Sequence, residues 1–417
     1  MSFNHRPRQF VAAALSAGLV LALAACAQDY PNSTFNHHTE FNTAIDFLWD
    51  RLLFWGTIVF VVVEVALIYT IIKFRHREGA PAPKQVHGNT TLEIMWTVAP
   101  ALILILIAVP TVRTIFRTQA PAVPEALQVE VIGHQWWWEF HYPEYGVRTA
   151  NELYLPVGRT VNLTLVTKDV IHSFWVPQLG GKRDLISNRT NYLWFTPDSS
   201  LESTVWNGFC AEFCGPSHAN MKFRTYTVQP DEFERWMSNQ QSPAAFGAVT
   251  PPAPAAAEGE AVQVAAADSV TPAAALEPYW YPEEELPAYA IPTGRIPASL
   301  AMPDGLVGDP QRGLEIYSRS TCIGCHAISG NPMSLARIGP DLTHIGSRHT
   351  LGAGMFPNEP SFMFAWIKNS RALKPGSLML PVGIGQRDPI TGMVIGERGG
   401  LNDQQIADIV AYLQALK

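Results

Sequence analysis

The chain has 417 residues, room for two or three domains. Hydrophobic residues reach 47% while charged residues stay at 16%, a balance too apolar for an ordinary soluble protein and one that predicts membrane segments. A formal net charge of -7 argues against nucleic-acid binding and leaves a surface suited to basic partners.

The opening MSFNHRPRQFVAAALSAGLVLALAAC sets Arg6 and Arg8 before an apolar run that ends in small residues at Cys26. This is the layout of an export signal over 1–25, to be set aside from the fold. Leu23-Ala24-Ala25-Cys26 has the form of a bacterial lipobox, so Cys26 is expected to carry lipid on the outer membrane face. An ordinary signal with a nearby cysteine, or a short membrane helix, would read similarly.

Segment 26–120 holds two spanning candidates, Leu52 to Ile72 and Ile94 to Val112, each near the ~20 residues a bilayer requires. Lys73, Arg75, Arg77 and Lys84 lie between them, and a short loop that basic belongs on the cytoplasmic side. Both chain ends then lie outside, in agreement with an exported N-terminus. Pro100, inside the second span, is tolerated where neighbours or water satisfy the freed carbonyl. Glu64, inside the first, is either a functional acid or a protonated carboxyl packed against a partner helix. Glu93 starts the second span and has a plain reading as a solvated helix-start acid.

From 121 to 240, β-rich runs such as LQVEVIGHQWWWEF and TVNLTLVTKDVIHSFWV alternate with turn signals and predict a small all-β sandwich or barrel. His172 is expected at the end of the second of these apolar strands. The stretch 241–300 holds SPAAFGAVTPPAPAAAEGEAV from Ser242, rich in Ala and Pro, and reads as a linker that buries no core. Such a linker would let the following domain dock or swing. Residues 301–417 regain order, with PQRGLEIYSRSTC as a helix that runs into a cysteine motif. A terminal helix follows, capped by Asn402 or Asp403, with Ile406, Ile409, Val410 and Leu413 on one face. No internal repeat is visible.

Cys322-Ile-Gly-Cys325-His326 is a C-x-x-C-H motif, in which two thiols bond to a porphyrin edge and the histidine reaches the iron. C-x-x-C alone also fits a redox dithiol or half a zinc site, but the adjoining histidine, the preceding helix and export favour haem c. The second axial ligand is sought among Met333, Met355, Met363, Met379, Met393, His344 and His349. Met379, in LKPGSLMLPVG, follows a Pro-Gly turn from which a loop can return across the haem. This domain resembles a class I cytochrome c, and the resemblance implies His326 and Met379 as axial ligands. An iron ligated that way passes electrons and has no open position for oxygen.

The run CAEFCGPSHANM packs Cys210, Glu212, Cys214, His218 and Met221 together, and Gly215-Pro216 argues for a loop rather than a helix. Zinc accepts thiolates and imidazole but rarely a thioether; methionine beside cysteine and histidine points to copper. One thiolate more than a single blue copper takes is enough to bridge a second copper, and His172 can supply a second imidazole.

These residues resemble the binuclear copper loop of cytochrome c oxidase subunit II. The resemblance implies Cys210 and Cys214 as bridging thiolates, His172 and His218 as terminal imidazoles, and Met221 as the thioether of a copper A pair. Glu212 would offer its carbonyl to copper and its carboxylate to a magnesium ion at the boundary with subunit I. GHQWWWEF is similar to the family's aromatic segment, which implies Trp136 as the tryptophan where electrons enter. Trp137 stands where the family usually has tyrosine, and Ala211 replaces a small polar residue. Glu93, in TLEIMW, matches a glutamate near the mouth of a proton path. GPDLTHIGSR is similar to the haem domains of fused subunits of this kind. All five cysteines are thereby assigned: one to lipid, two to copper and two to haem.

The implied architecture is multidomain: a two-helix transmembrane hairpin, an all-β cupredoxin-like sandwich and an all-α class I cytochrome c domain. The implied function is electron input to a respiratory cytochrome c oxidase, from haem c to copper A and on to the oxygen-reducing subunit I, coupled to proton translocation. Expected partners are subunits I and III, with cytochrome c or a cytochrome bc complex as donor and no nucleic acid. The expected location is a bacterial inner membrane, with the copper and haem domains on the periplasmic face. A copper A nitric oxide reductase could use the same subunit, and a free-standing anchored carrier would need fewer spans. A purely structural quinol-oxidase subunit is excluded by the copper ligands, and a copper chaperone or sensor leaves the haem motif unexplained.

Overall fold

Thr39 accepts a hydrogen bond from the Asn42 amide and starts helix α1, Glu40–Lys73, well before the predicted span. The early start has a packing reason: Phe41 and Asn42 are buried beneath the β-domain. Thr39 Oγ1 donates to the Leu179 carbonyl (2.7 Å), and Asn42 Nδ2 donates to Pro177 O (2.6 Å). The Glu40 carboxylate accepts from the Thr196 amide and hydroxyl at 3.0 and 2.9 Å. The membrane segment is thus fastened to the domain above it. Helix α2, Thr90–Gln119, contains both Pro100 and Pro110. With 34 and 30 residues at ~1.5 Å each, both helices exceed a ~30 Å hydrocarbon core, and both are apolar enough to cross a membrane.

This computed structural model describes residues 30–79, 85, 87–119, 121–244 and 277–417, together with positions 16 and 18. The rest of the expected export signal, Cys26 and Lys84 lie outside the described residues, as does the Ala/Pro-rich stretch 245–276.

Ten strands build the sandwich: β1 Leu127–His134, β2 Trp137–Tyr142, β3 Val147–Ala150, β4 Glu152–Pro156, β5 Val161–Thr167, β6 His172–Trp175, β7 Arg183–Leu185, β8 Asn191–Phe195, β9 Thr204–Cys210 and β10 Lys222–Val228. One sheet runs β3-β2-β1-β5-β8 and the other β4-β10-β9-β6-β7. The β1/β5 and β4/β10 pairs are parallel, the others antiparallel. Burial alternates along β2 and β5, the period-2 signature of strands with one face inward. Trp138, Phe140, Phe174 and Phe223 fill the space between the sheets. Helix α3, Pro230–Gln241, caps one end, and its Trp236 stacks on Tyr154 with ring centroids 4.3 Å apart.

Two expectations are corrected here. His172 opens β6 rather than closing a strand: β5 ends at Thr167, whose hydroxyl donates to Val170 O (2.6 Å) and receives the Asp169 amide (3.2 Å). That local turn breaks the strand. The described part of the predicted linker, 277–300, is also no free tether. Tyr279, Tyr281 and Ala290 join the sandwich core, Tyr289 OH donates to Val205 O (2.7 Å), and Arg224 Nε donates to Ala290 O (2.7 Å). Its aromatics provide the apolar surface that the preceding Ala/Pro stretch lacks.

The C-terminal domain pairs α4, Pro310–Arg319, with α6, Asp403–Gln414; α5, Pro360–Leu373, and a two-residue ribbon, β11 Thr350–Leu351 with β12 Phe356–Pro357, complete it. Asn402 caps α6 and shares a capping box with Gln405. The expected face of α6, Ile406, Ile409, Val410 and Leu413, is buried.

Candidate functional site

At one end of the sandwich, β9 delivers Cys210 and the chain then leaves the sheet in a loop that ends in a single 3-10 turn, His218–Asn220. Cys210 and Cys214 bring their sulfurs to 3.7 Å of each other, both buried. His172 Nδ1 stands 3.8 Å from Cys210 Sγ, and His218 Nδ1 stands 3.6 Å from Cys214 Sγ. Met221 Sδ, fully buried, is 3.9 Å from Cys214 Sγ, and the Glu212 carbonyl is 3.2 Å from Cys210 Sγ. Every copper ligand expected from the sequence therefore converges on one thiol pair. Hydrogen bonding from Cys214, opposed by burial and aided by His172 and backbone amides, holds the Cys210 thiol well below its ordinary value, toward the thiolate that binds metals. Soft sulfur and imidazole donors around two thiols fit a pair of coppers.

Sequence reading missed the group that orients His172. Asp169 Oδ1 accepts from His172 Nε2 at 2.8 Å, so the other nitrogen is the one turned to sulfur. The Gln135 amide donates to the same carboxylate (2.7 Å). Burial pushes the Asp169 carboxyl up, but the bonds from His172 and the two backbone amides outweigh it and hold it below the usual range. The signal available in KDVIH was an acid three residues before the histidine.

Trp136 occupies the turn between β1 and β2, where its indole Nε1 and Gln135 Nε2 both donate to Cys214 O, at 2.9 and 2.8 Å. Trp137 stacks on His134, and Trp138 is wholly buried with its indole Nε1 donating to Met221 O at 3.4 Å, so Trp136 is the one of the three that bonds the Cys214 carbonyl. Glu212 and Phe213 point away from the thiols; Phe213 is 76% exposed. Glu93 sits in the first turn of α2 with Oε1 accepting from the Asn89 amide (3.3 Å), which is a helix-start role. Glu64 lies inside α1.

In the C-terminal domain, Thr321–Gly324 forms a 3-10 turn that carries Cys322 into Cys325 and His326. His326 Nδ1 donates to Pro340 O (2.7 Å), and an added Cβ at Gly339 would meet the imidazole at 2.7 Å, so only glycine admits the ring there. Burial favours the neutral imidazole, whose free Nε2 can face iron. Leu335, Ile338, Leu378 and Leu380, which flank the motif and Met379, are all exposed apolar side chains of the kind a porphyrin covers. Among the rival axial ligands, Met363 is core and takes a contact from Gln414 Nε2. His344 Nε2 donates to Ser242 O, and His349 Nε2 donates to Tyr281 O.

Family profiles match in three places: "Cytochrome C oxidase subunit II, transmembrane domain" over 27–114, "Cytochrome C oxidase subunit II, periplasmic domain" over 146–228, and "Cytochrome c" over 310–417. Cytochrome c oxidase subunit 2 of Alkalihalophilus pseudofirmus is 31% identical over 366 residues, covering 86% of this chain and 83% of the relative. The chain belongs to the cytochrome c oxidase subunit II family. The corresponding subunit of Bacillus subtilis is 30% identical over 85% of this chain and 83% of its own length. The solved periplasmic domain of cytochrome oxidase subunit II from Bradyrhizobium japonicum is 29% identical over 29% of this chain and 97% of that domain, with a TM-score of 0.27. As a family member with a cytochrome c domain, the chain is a membrane-anchored subunit of an oxidoreductase complex, with an outer-facing domain, and its two domains imply copper A and haem c.

Proposed function

We propose that this subunit feeds electrons from an external donor, through a haem held by Cys322, Cys325, His326 and Met379, to a copper A pair held by His172, Cys210, Glu212, Cys214, His218 and Met221. From there they leave for an oxygen-reducing subunit I, in a complex that translocates protons across a bacterial inner membrane. The observation that carries this reading is the meeting of six donors at two thiols 3.7 Å apart. When bound, the two groups supply reversible one-electron chemistry that no side chain here offers.

The chain's own residues orient and insulate. Asp169 turns His172 Nδ1 toward sulfur, and Pro340 does the equivalent for His326 by engaging Nδ1. Trp136 is the point of electron input, a role supported by its bond to the Cys214 carbonyl. The exposed Glu212 carboxylate is free to bind magnesium where subunit I docks, and Phe213 beside it supplies apolar contact. Glu93 is the acid at the mouth of a proton path, a role supported by its place in the first turn of α2. Subunit III and a cytochrome c or bc-type donor complete the assembly.

The test is on the intact complex, purified in mild detergent and supplied with reduced donor, with oxygen and nitric oxide consumption followed separately. Oxygen uptake that disappears in Cys214→Ser supports the oxidase reading. Nitric oxide turnover without oxygen uptake would replace it with a reductase. No large membrane partner and no gas consumed would leave a free-standing carrier.

A further inference from the structure

The haem domain reaches the copper site through a short tongue. Helix α5 ends at Leu373, Lys374 caps it, and Pro375-Gly376 turns the chain toward Met379. Lys374 is buried, and its Nζ donates to Trp136 O at 2.6 Å and to Gly352 O at 3.0 Å. Ser217 Oγ, on the copper loop, donates to Pro375 O at 2.5 Å. Gly376 has φ +84°, and a Cβ there would meet the Trp136 indole at 2.5 Å. The tongue therefore lies flat on the indole with no side chain between, and leaves Trp136 only 8% exposed.

We propose that Lys374-Pro375-Gly376 is the internal docking tongue that seats the haem domain on Trp136, with Gly376 setting the separation and Lys374 fixing the register. Both are positioning residues, and the proposal rests on the reading of Trp136 as the input point. Three features converge on it. A lysine is buried against neutral carbonyls, an arrangement whose desolvation cost makes sense only with both acceptors in place. A glycine is used where contact, not only backbone conformation, forbids a side chain. And the tongue runs within a few residues of Met379. The transfer it serves moves one electron out of a haem bound at His326 and into a copper pair bound at Cys210 and Cys214, with no bond made or broken and no proton exchanged. A soluble donor meets the haem domain here, because the face over Trp136 is taken.

The experiment uses the full complex with three variants. Gly376→Val places a side chain against the indole. Gly385→Val imposes a similar backbone demand at φ +79°, where nothing lies within 4 Å of the added Cβ. Lys374→Met removes both donated bonds without adding bulk. Hydrogen exchange of amides 135–137, 374, 376 and 377 reads docking without any reliance on turnover, and light-triggered reduction of the haem reads the onward rate to copper. We expect Gly376→Val to lose exchange protection and slow the onward rate at least tenfold, Lys374→Met to move both in the same direction by less, and Gly385→Val to match wild type. Wild-type values in both Gly376→Val and Lys374→Met, or equal slowing in Gly385→Val, would overturn the tongue. Failure of the functional reading would show separately, as wild-type complex that lacks haem or copper absorption.

Discussion

Asp169 decides which nitrogen of His172 faces the thiols, although it would touch no copper itself. In Asp169→Asn the amide can still accept from one neighbour, but its NH2 must face a backbone donor. Copper affinity is expected to fall about 10–100-fold, the usual cost of losing such a partner, with the far-UV spectrum unchanged. A copper titration against a competing chelator measures it. At the haem, Met379→Leu should lower the reduction potential and change the ligand-sensitive absorption, whereas Met363→Leu should leave both in place, since Met363 is a core residue. Most of the donors that meet at the thiol pair stood out in the sequence because donor chemistry is type-specific and clustered within CAEFCGPSHANM, whereas His172 lies far upstream in KDVIH. Asp169, Pro340 and Lys374 did not stand out, because an acid, a proline and a lysine carry no such signature until the fold brings their partners close.

Close approach between α4 and α6 rests on two glycines. A Cβ at Gly308 would lie 2.0 Å from Ala407 O, and one at Gly313 the same distance from Asp408 O. Arg312 then reaches across to Asp408, with Nε and Nη2 donating to the two carboxylate oxygens at 3.0 Å each. Gly313→Ala should force the helices apart and cost about 1–3 kcal/mol, read as a lowered melting temperature at the haem band. The spans, most strands and the terminal helix were legible from hydropathy and period. The first span lies within α1 as expected, although the helix begins upstream of it, and the reading of 277–300 as a free linker failed; both outcomes come from contacts with the distant β-domain that local composition does not encode. Ala and Pro dominate the start of the predicted linker, and they concealed Tyr279, Tyr281 and Tyr289 at its end.

Across the whole molecule, the copper and haem domains meet over Trp136 and again around Glu152. That carboxylate accepts from the amides of His349 and Thr350, at 2.8 and 3.0 Å, while Tyr226 OH lies 3.1 Å from His349 Nδ1. Desolvation pulls Lys374 from its usual 10.5 down to about 7, with Cys214 drawing it weakly back. The docked form therefore holds fewer protons than the open one between those values, so this lysine should tighten docking as pH rises through about 7 to 10.5. His349 acts oppositely: burial lowers its pKa, but Glu152 raises it on balance, so its contribution is full below about 6.5 and fades as pH rises through the docked value. Exchange protection compared between wild type and Lys374→Met across that range isolates the lysine, and the variant should lose only the rising part. The segment 277–290, packed on the copper domain, also limits how far the haem domain can move. Because it is held at Ala290 and Gly294 already packs on Met355 and Phe356 of the haem domain, the two bodies are joined by about four steps of ~3.5 Å, a leash of ~14 Å at most. A leash that short maintains the haem domain at an effective concentration on the order of millimolar beside Trp136, so modest contacts suffice to keep it there. It also confines the domain to short excursions, which means that a donor has to be brought to this subunit and cannot be fetched by it.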